Sequence, residues 1–265
     1  MFDYHLHSAF SADAQVPLEE MARHCAQAGL SEICFTEHID LGLPPHREKE
    51  WIVDLDAYLR EVARVGGLFP EMRVRCGIEA GYTLENISQM EQLLAEHGLD
   101  YVIGSRHILE GMDIFYAGYV QEDRSRVYAL YLEEVLDTMR RVEHFSVLGH
   151  IDYPSKLSVF CDAPMRYEDA PDLIDEILKM LVQKGKGMEV NTSSLRKTKD
   201  MSSITSILKR FCELGGEIVT FGSDAHRPED VVFLYEQAMG GILQAGFGYI
   251  ATFEKMKPVF HPIGG

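Results

Sequence analysis

The sequence is short of positive charge and has no long apolar run. Its 265 residues include 25 Lys and Arg against 42 Asp and Glu, which gives a formal net charge of -17. A surface this acidic repels phosphate backbones over a Debye length, so no nucleic-acid partner is expected. No apolar stretch approaches the roughly 18 residues that span a bilayer, and the amino terminus lacks the basic and apolar regions of a signal peptide. The sequence therefore predicts a cytoplasmic protein that does not associate with membranes.

Cysteines are few and dispersed, and several common enzyme motifs are missing. An odd number of cysteines without a C-x-x-C pair argues against a disulfide framework. The sequence also lacks a G-x-x-x-x-G-K-[ST] loop, a G-x-G-x-x-G loop after a strand and a G-x-S-x-G elbow, which disfavours NTP, dinucleotide and serine-hydrolase chemistry. We interpret the five cysteines as reduced packing residues: Cys25, Cys34, Cys76, Cys161 and Cys212.

Short apolar runs alternate with longer stretches of helical periodicity along the whole chain, which is typical of a parallel α/β fold. The strand candidates are Phe2 to His5, Glu32 to Thr36, Val74 to Ile78, Tyr101 to Gly104, Ser146 to Gly149, Met188 to Asn191 and Ile218 to Phe221. The helix candidates are Pro17 to Gly29, Trp51 to Val65, Ile87 to Glu96, Arg124 to Val142, Tyr167 to Gln183, Ile204 to Glu213 and Pro228 to Leu243.

No linker, low-complexity tract or composition shift divides the chain, so a single domain over residues 1–265 is predicted. Seven βα units fit a closed barrel one unit smaller than the usual eight, and an open doubly wound sheet gives a similar linear pattern. The positions of the polar residues favour the barrel, because barrel enzymes draw their chemistry from the carboxyl ends of several strands at once.

Six of the eleven histidines close predicted strands, and two carboxylates, Glu79 and Asp224, occupy matching places. A single histidine at a strand end is more often a surface or hydrogen-bonded residue than a ligand. Eight such groups at the carboxyl ends of parallel strands would instead meet on one rim of a barrel. The six histidines are His5, His7, His38, His107, His150 and His226.

This cluster predicts a catalytic metal centre. Neutral imidazoles and carboxylates without thiolates suit zinc, manganese or iron. Because one catalytic ion takes about three protein ligands, eight or more candidates imply two or three divalent ions, with Glu79 as the natural bridge. Closely spaced ions lower the pKa of a shared water and clamp the oxygens of an in-line displacement, so ester hydrolysis is the leading chemistry.

The motifs around these residues resemble the polymerase and histidinol phosphatase (PHP) family over nearly the full chain. The resemblance implies a distorted (β/α)7 TIM-like barrel, and residues 189–197 (EVNTSSLRK) resemble the stretch typical of its histidinol-phosphate phosphatases. The motifs that carry the resemblance are, in order, residues 3–8 (DYHLHS), 36–38 (TEH), 77–79 (GIE), 104–107 (GSRH), 149–150 (GH) and 222–226 (GSDAH).

The resemblance also implies a ligand set of nine residues. A turn or helix-capping role for Asp13 explains its loop equally well. Arg106 departs from the family's usual small apolar residue; it could contact phosphate or face solvent, and we favour solvent. By position, one ion would be held by His5, His7, Glu79 and Asp224, a second by Glu79, His107 and His150, and a third by Asp13, His38 and His226.

Two cations are predicted to bind a substrate phosphate. Arg196 follows the sixth strand through a Thr-Ser-Ser loop, where its guanidinium could make bidentate contacts, although an Arg beside two lysines is usually solvated. Lys156 follows His150 closely and would lie at the same rim. Ser223 is assigned a packing or supporting role, since no base is positioned to make it a nucleophile.

The predicted reaction is hydrolysis of a small phosphomonoester, L-histidinol phosphate by resemblance, by a metal-bridging hydroxide. Asp224, His226 or a metal-bound water would protonate the leaving alkoxide. The alternatives are a family phosphatase acting on a nucleotide or sugar phosphate, a metal-dependent amidohydrolase, and a non-catalytic metal-stabilised module. The metal identity, the number of ions and the oligomeric state are left open.

Overall fold

Seven parallel strands form a nearly closed barrel in the computed structural model, which describes residues 1–43, 51–115 and 122–264. In chain order the strands are β1 (Phe2–Leu6), β2 (Glu32–Asp40), β3 (Arg73–Gly81), β4 (Tyr101–Ser105), β5 (Ile108–Leu109), β6 (Met112–Asp113), β7 (Val147–Leu148), β8 (Gly187–Asn191), β9 (Val219–Gly222), β10 (Tyr249–Glu254) and β11 (Lys257–Pro262). The barrel strands follow the order β1-β2-β3-β4-β7-β8-β9. A parallel bridge between Leu6 and Ala225 joins the first strand to the residues after the last one. The predicted seven-stranded barrel is confirmed.

In the described residues, seven α-helices alternate with the barrel strands. They are α1 (Leu18–Gln27), α2 (Leu55–Gly66), α3 (Ile87–Ala95), α4 (Arg124–Met139), α5 (Pro171–Lys184), α6 (Ser202–Glu213) and α7 (Tyr235–Ala245). Each packs an apolar stripe on the barrel; the stripe of α1 is Leu18, Met21, Ala22 and Cys25, as the sequence pattern predicted. Side-chain caps set two of the starts, because the Asp54 and Asp123 carboxylates accept backbone N–H groups at the beginnings of α2 and α4. No helix in the described ranges is long and apolar enough to cross a membrane.

Three predicted helix starts are wrong, and one of them, expected at Tyr167, lies at Pro171. The last helix was expected from Pro228 but begins at Tyr235, because Val232 and Leu234 adopt left-handed backbone angles that interrupt a helix. The helix expected from Trp51 begins at Leu55. The strands β2 and β3 run several residues beyond their predicted ends, so His38 and Glu79 lie within strands.

The hairpin β10–β11 was not predicted, and it covers the amino-terminal end of the barrel. A small buried cluster forms there from Tyr4, Cys34, Tyr101, Ile103, Val147, Ala251 and Phe253. The Tyr4 hydroxyl accepts the Phe253 backbone N–H and donates to the Glu32 carboxylate. This end of the barrel is therefore closed by packing, which leaves the carboxyl end for chemistry.

The five cysteines are free thiols, and the packing interpretation holds for four of them. Cys25, Cys34 and Cys76 are buried, and Cys212 packs partly buried against the main core. Cys161 is the correction: it is partly exposed and lies in the wall of the main pocket.

Gly77 marks a close approach between the barrel strands β3 and β4. A methyl group at this position would lie 2.8 Å from Cys34 Sγ and 2.9 Å from the Tyr101 carbonyl oxygen. The carbonyl belongs to a paired strand and cannot move aside cheaply. We therefore expect Gly77→Ala to destabilise the barrel by about 1–3 kcal/mol through overpacking.

Thermal unfolding followed by circular dichroism checks this prediction. The melting temperature should fall by several degrees in Gly77→Ala, given about 2–4 °C per kcal/mol for a domain of this size. Gly98→Ala is the matched control, because nothing lies within 4 Å of a methyl group there. Equal melting temperatures for Gly77→Ala and the unsubstituted chain would contradict the packing argument.

Candidate metal centre and its pocket

The carboxyl ends of the barrel strands place the predicted ligands around one buried carboxylate. The register pairs His38 on β2 directly with Glu79 on β3. His5 lies on β1 with both its ring nitrogens directed inside the barrel, toward Glu79 and Glu189. His107 and His150 follow β4 and β7. These five side chains are all buried.

Glu79 is the centre of the cluster, and its carboxylate is almost completely buried. One oxygen, Oε1, accepts a hydrogen bond from Ser105 Oγ at 2.8 Å. The same oxygen lies 3.0 Å from His107 Nε2 and 2.7 Å from His150 Nε2. The second oxygen, Oε2, faces three further imidazoles: His5 Nε2 at 3.0 Å, His38 Nδ1 at 3.3 Å and His7 Nε2 at 3.4 Å.

Asp224 extends the cluster on the side of β1. Its Oδ1 lies 3.6 Å from His5 Nε2 and 3.5 Å from His7 Nε2. Its Oδ2 accepts hydrogen bonds from the Lys156 ammonium and from Ser193 Oγ. The carboxylate thus joins the imidazole cluster to a cation at the pocket wall.

Asp13 and His226 lie nearer to solvent. Asp13 Oδ2 is 2.9 Å from His226 Nε2 and 3.6 Å from His38 Nε2. The ring of His7 stacks on the rings of both His38 and His226, with centroids 4.4 Å and 4.2 Å away. The structure thus brings all nine predicted ligand residues into one connected group.

Two carboxylates that the sequence analysis did not assign to the site hold imidazole rings in place. Glu189 on β8 lies 2.5 Å from His5 Nδ1, and it also accepts the His150 backbone N–H. Asp40 at the end of β2 lies 2.7 Å from His107 Nδ1. A proton held on Nδ1 by such a carboxylate leaves the Nε2 lone pair free, which is the usual arrangement of a metal-bound histidine.

The donor set fits divalent cations. After each Nδ1 proton is assigned to its carboxylate, the Nε2 atoms of His5 and His107 present lone pairs to the acceptor oxygens of Glu79. Lone pairs that face one another at 3.0 Å require a positive charge between them, which either a proton or a metal cation supplies. Ligand atoms within 4.8 Å of one another form three groups in the described residues: His5, His7 and Asp224; His38, Glu79 and His107; and His7, His38 and His226.

The electrostatics show the same demand for positive charge. Burial raises the pKa of the Glu79 carboxyl, but the imidazoles of His5, His38 and His107 hold it well below its usual range. Burial lowers the pKa of His107, and Asp40 and Glu79 more than offset this and raise it to about 9. Burial and the neighbouring Lys156 ammonium lower the pKa of His150 to about 4. The site therefore keeps its carboxylates ionised and attracts cations.

A pocket of about 770 Å³ opens above this cluster. Lys156 and Arg196, the two residues that the sequence predicts to bind phosphate, both lie in its wall. The Lys156 ammonium also lies over the Tyr153 ring at 5.1 Å. The pocket is lined by Asp13, His38, Trp51, Glu79, His107, Asp113, Phe115, His150, Tyr153, Lys156, Cys161, Ser193, Ser194, Arg196, Lys197, Asp224 and His226.

Arg196 is held at the edge of the pocket. Its guanidinium pairs with the Asp230 carboxylate and lies over the Phe233 ring at 5.3 Å. The side chain is 41% exposed, so it reaches solvent and the pocket together. Its predicted role as a phosphate ligand requires part of this ion pair to be exchanged for the substrate.

Arg106 does not face solvent, and that interpretation is corrected. Its side chain is buried, pairs with Glu134 on α4 and donates to the Thr138 hydroxyl at 2.9 Å. The pair braces the strand end that carries His107 against a helix. A charged residue directly before a predicted ligand could have signalled such a partner, but its identity depends on the tertiary fold.

Comparisons with known proteins agree with this geometry. The sequence profile of the PHP domain matches residues 3–193. The chain is 33% identical over 261 residues to the probable histidinol-phosphatase of Clostridium acetobutylicum, covering 98% of this chain and 96% of that protein. It is 32% identical to the histidinol-phosphatase of Lactococcus lactis subsp. lactis, covering 96% and 95%.

A solved structure is similar over nearly the whole chain. It is the crystal structure of histidinol phosphate phosphatase from Lactococcus lactis subsp. lactis complexed with zinc, L-histidinol and phosphate. The TM-score is 0.90 at 30% sequence identity, and the match covers 97% of this chain and 98% of that one.

The contacts of Glu79 predict that Glu79→Gln abolishes most metal binding. The amide is isosteric but neutral, and it presents N–H groups to imidazole lone pairs that the carboxylate oxygens now face. We expect activity and zinc content to fall together by at least about tenfold, as measured by elemental analysis after zinc reconstitution and gel filtration.

Glu32→Gln is the matched control for this substitution. Glu32 is an equally buried glutamate at the opposite end of the barrel, where it accepts from Tyr4 and Arg75. Its loss should lower stability and leave the zinc content unchanged. A full zinc complement in Glu79→Gln would refute the bridging role.

Proposed function

The chain belongs to the PHP domain family, and from this premise we propose that it is a metal-dependent histidinol-phosphatase. It hydrolyses L-histidinol phosphate to L-histidinol and inorganic phosphate, a step of histidine biosynthesis. The observation that carries this conclusion is the convergence of nine imidazole and carboxylate side chains at the bottom of a pocket with two cations in its wall. The full-length similarity to a phosphatase solved with L-histidinol and phosphate supports the substrate.

The site is proposed to hold two or three divalent ions, with zinc, manganese or iron as the candidates. His5, His7, Glu79 and Asp224 would hold one, Glu79, His107 and His150 a second, and Asp13, His38 and His226 a third. Bound at such a site, divalent ions lower the pKa of a water molecule and polarise the phosphoryl oxygens. Zinc in the Lactococcus lactis structure supports this choice of metal class.

Lys156 and Arg196 are proposed to bind the substrate phosphate. The Lys156 ammonium stays protonated: burial acts to lower its pKa, but the Asp224 carboxylate next to it raises the pKa overall. Ser193 and Ser194 share the pocket wall with Arg196, but their hydroxyl groups donate to Asp224 and Asp152 and would have to turn away from these carboxylates to bind phosphate. Charge-assisted hydrogen bonds from Lys156 and Arg196 would orient the phosphoryl group above Glu79 and balance the negative charge of the phosphate.

Asp224 and His226 are proposed to move the proton that the leaving alkoxide takes up. Asp224 Oδ1 lies 3.6 Å from His226 Nδ1, too far for a direct hydrogen bond, so either side chain would deliver the proton to the leaving oxygen separately. Both line the pocket, and His226 is 28% exposed at its mouth. We also propose a cytoplasmic location, which rests on the sequence alone.

A phosphate-release screen tests the substrate assignment. Zinc-reconstituted protein should hydrolyse L-histidinol phosphate with kcat/KM at least about tenfold above nucleoside monophosphates and sugar phosphates, since each productive pocket contact is worth roughly 1.4 kcal/mol or more. An amide substrate serves as the negative control. Comparable rates on all phosphate esters would leave a PHP phosphatase of broad specificity and exclude the narrow assignment.

Separate measurements of KM and kcat test whether Arg196 binds the substrate phosphate. In Arg196→Gln we expect KM for the phosphate ester to rise roughly tenfold, because one charge-assisted hydrogen bond of about 1.5 kcal/mol is lost. The inhibition constant of inorganic phosphate should rise in parallel. Lys209→Gln, on the exposed face of α6, is the charge-matched control. Unchanged KM and phosphate inhibition in Arg196→Gln would remove Arg196 from the binding site.

A further inference from the structure

Asp3 carries a fully buried carboxylate that the reaction described above does not use. It lies on β1, two residues before His5. Its Oδ1 accepts the Ser223 backbone N–H at 3.0 Å and the His5 N–H at 3.4 Å. Its Oδ2 accepts the Val232 N–H at 3.1 Å. One carboxylate therefore binds both ends of the segment 223–232, which we call the β9 loop.

The β9 loop carries groups from both halves of the proposed site. Asp224 and His226 belong to the metal cluster. Asp230, which pairs with Arg196, is also part of the loop, and Phe233 follows directly after it. The position of the β9 loop therefore determines where two of the proposed metal ligands lie and where the Arg196 guanidinium is held.

The backbone of this loop is strained at two residues. Asp224 adopts φ +55° and Val232 φ +52°, a left-handed conformation that residues with a Cβ rarely adopt. Such angles persist where surrounding contacts impose them. The Asp3 carboxylate accepts the backbone N–H of Ser223, the residue directly before Asp224, and the backbone N–H of Val232. It therefore contacts the chain at both strained positions.

These hydrogen bonds lie where the first strand of the barrel meets the residues that follow the last strand. Beyond Asp224 the chain returns to β1, where the His7 N–H donates to the Ala225 carbonyl at 3.0 Å. Asp224 is thus fixed between two attachments to β1, one through Asp3 and one through His7. β1 supplies His5, and His7 follows directly after its last residue; these are the two imidazoles that Asp224 faces.

We infer that Asp3 is a positioning residue that staples the β9 loop to β1 and so presents Asp224 and His226 to the metal cluster. Asp3 touches neither substrate nor the ligand atoms; it acts through backbone N–H groups. The inference rests on the proposed metal site and not on the identity of the substrate.

Zinc affinity of Asp3→Asn tests the inference. Asparagine keeps the shape but replaces one acceptor oxygen with an NH₂ group that faces a backbone N–H. We expect zinc affinity, measured by competition with a chromogenic chelator, to fall about 10–100-fold, as for other groups that orient metal ligands. Zinc affinity within twofold of the unsubstituted chain would overturn the inference.

Asp100→Asn is the matched control. The Asp100 carboxylate also accepts two backbone N–H groups, those of Cys76 and Lys255, but it lies at the amino-terminal end of the barrel. Both variants should lose stability, and only Asp3→Asn should lose zinc affinity. An equal loss of zinc affinity in both would assign Asp3 a merely structural role.

Amide hydrogen exchange on the unsubstituted chain covers the case in which Asp3→Asn does not fold. Ser223 and Val232 should exchange slowly both with zinc and after chelation, because Asp3 holds them independently of the metal. Fast exchange of both amides after chelation would overturn the inference. A chain that folds but binds no zinc would instead refute the proposed function, so the two failures are distinguishable.

Discussion

A negative charge buried in the mouth of a barrel is the constraint on which the rest of this molecule depends. The Glu79 carboxylate is 1% exposed and has five imidazole nitrogens within 3.4 Å. An uncompensated ion in such a place costs several kcal/mol, so the surrounding side chains must supply positive charge or ligate cations that do. The further carboxylates Glu189 and Asp40 direct imidazole lone pairs inward, which makes cation binding the consistent solution.

The barrel tolerates this concentration of buried charge because the apolar packing that closes it and the side chains of the candidate site lie at opposite ends of its parallel strands. The hairpin β10–β11 and a small apolar cluster close the amino-terminal end. At the carboxyl end, the strand register brings His38 beside Glu79 and leaves the pocket open. Substitutions at the amino-terminal end are therefore expected to lower stability without changing the metal content, whereas substitutions of ligands at the carboxyl end should lower the metal content.

The seven barrel strands could be predicted from local pattern. Six histidines and two carboxylates could be expected together because each lies at or near the carboxyl end of one of these strands. Glu189 and Asp40 were missed as ring-orienting groups, since their roles depend on which strands become neighbours. Arg106 was misplaced for the same reason: its partner Glu134 is 28 residues away on a helix. The late start of α7 could not be read from periodicity, because tertiary contacts impose the left-handed angles before it.

The acidic composition and the anionic substrate are compatible because charge acts locally here. A net charge of -17 governs long-range steering, whereas Lys156, Arg196 and Lys197 lie together in the pocket wall with the cation cluster below them. Each of these three side chains is paired with a carboxylate: Asp224, Asp230 and Asp162. In the proposed binding mode a phosphate takes the place of a carboxylate beside a cation. Asp230 and Asp162 reach solvent and can be hydrated when they are displaced, and the buried Asp224 keeps His5 and His7 as neighbours. These ion pairs form again when phosphate leaves, so its departure leaves none of the three cations without a partner.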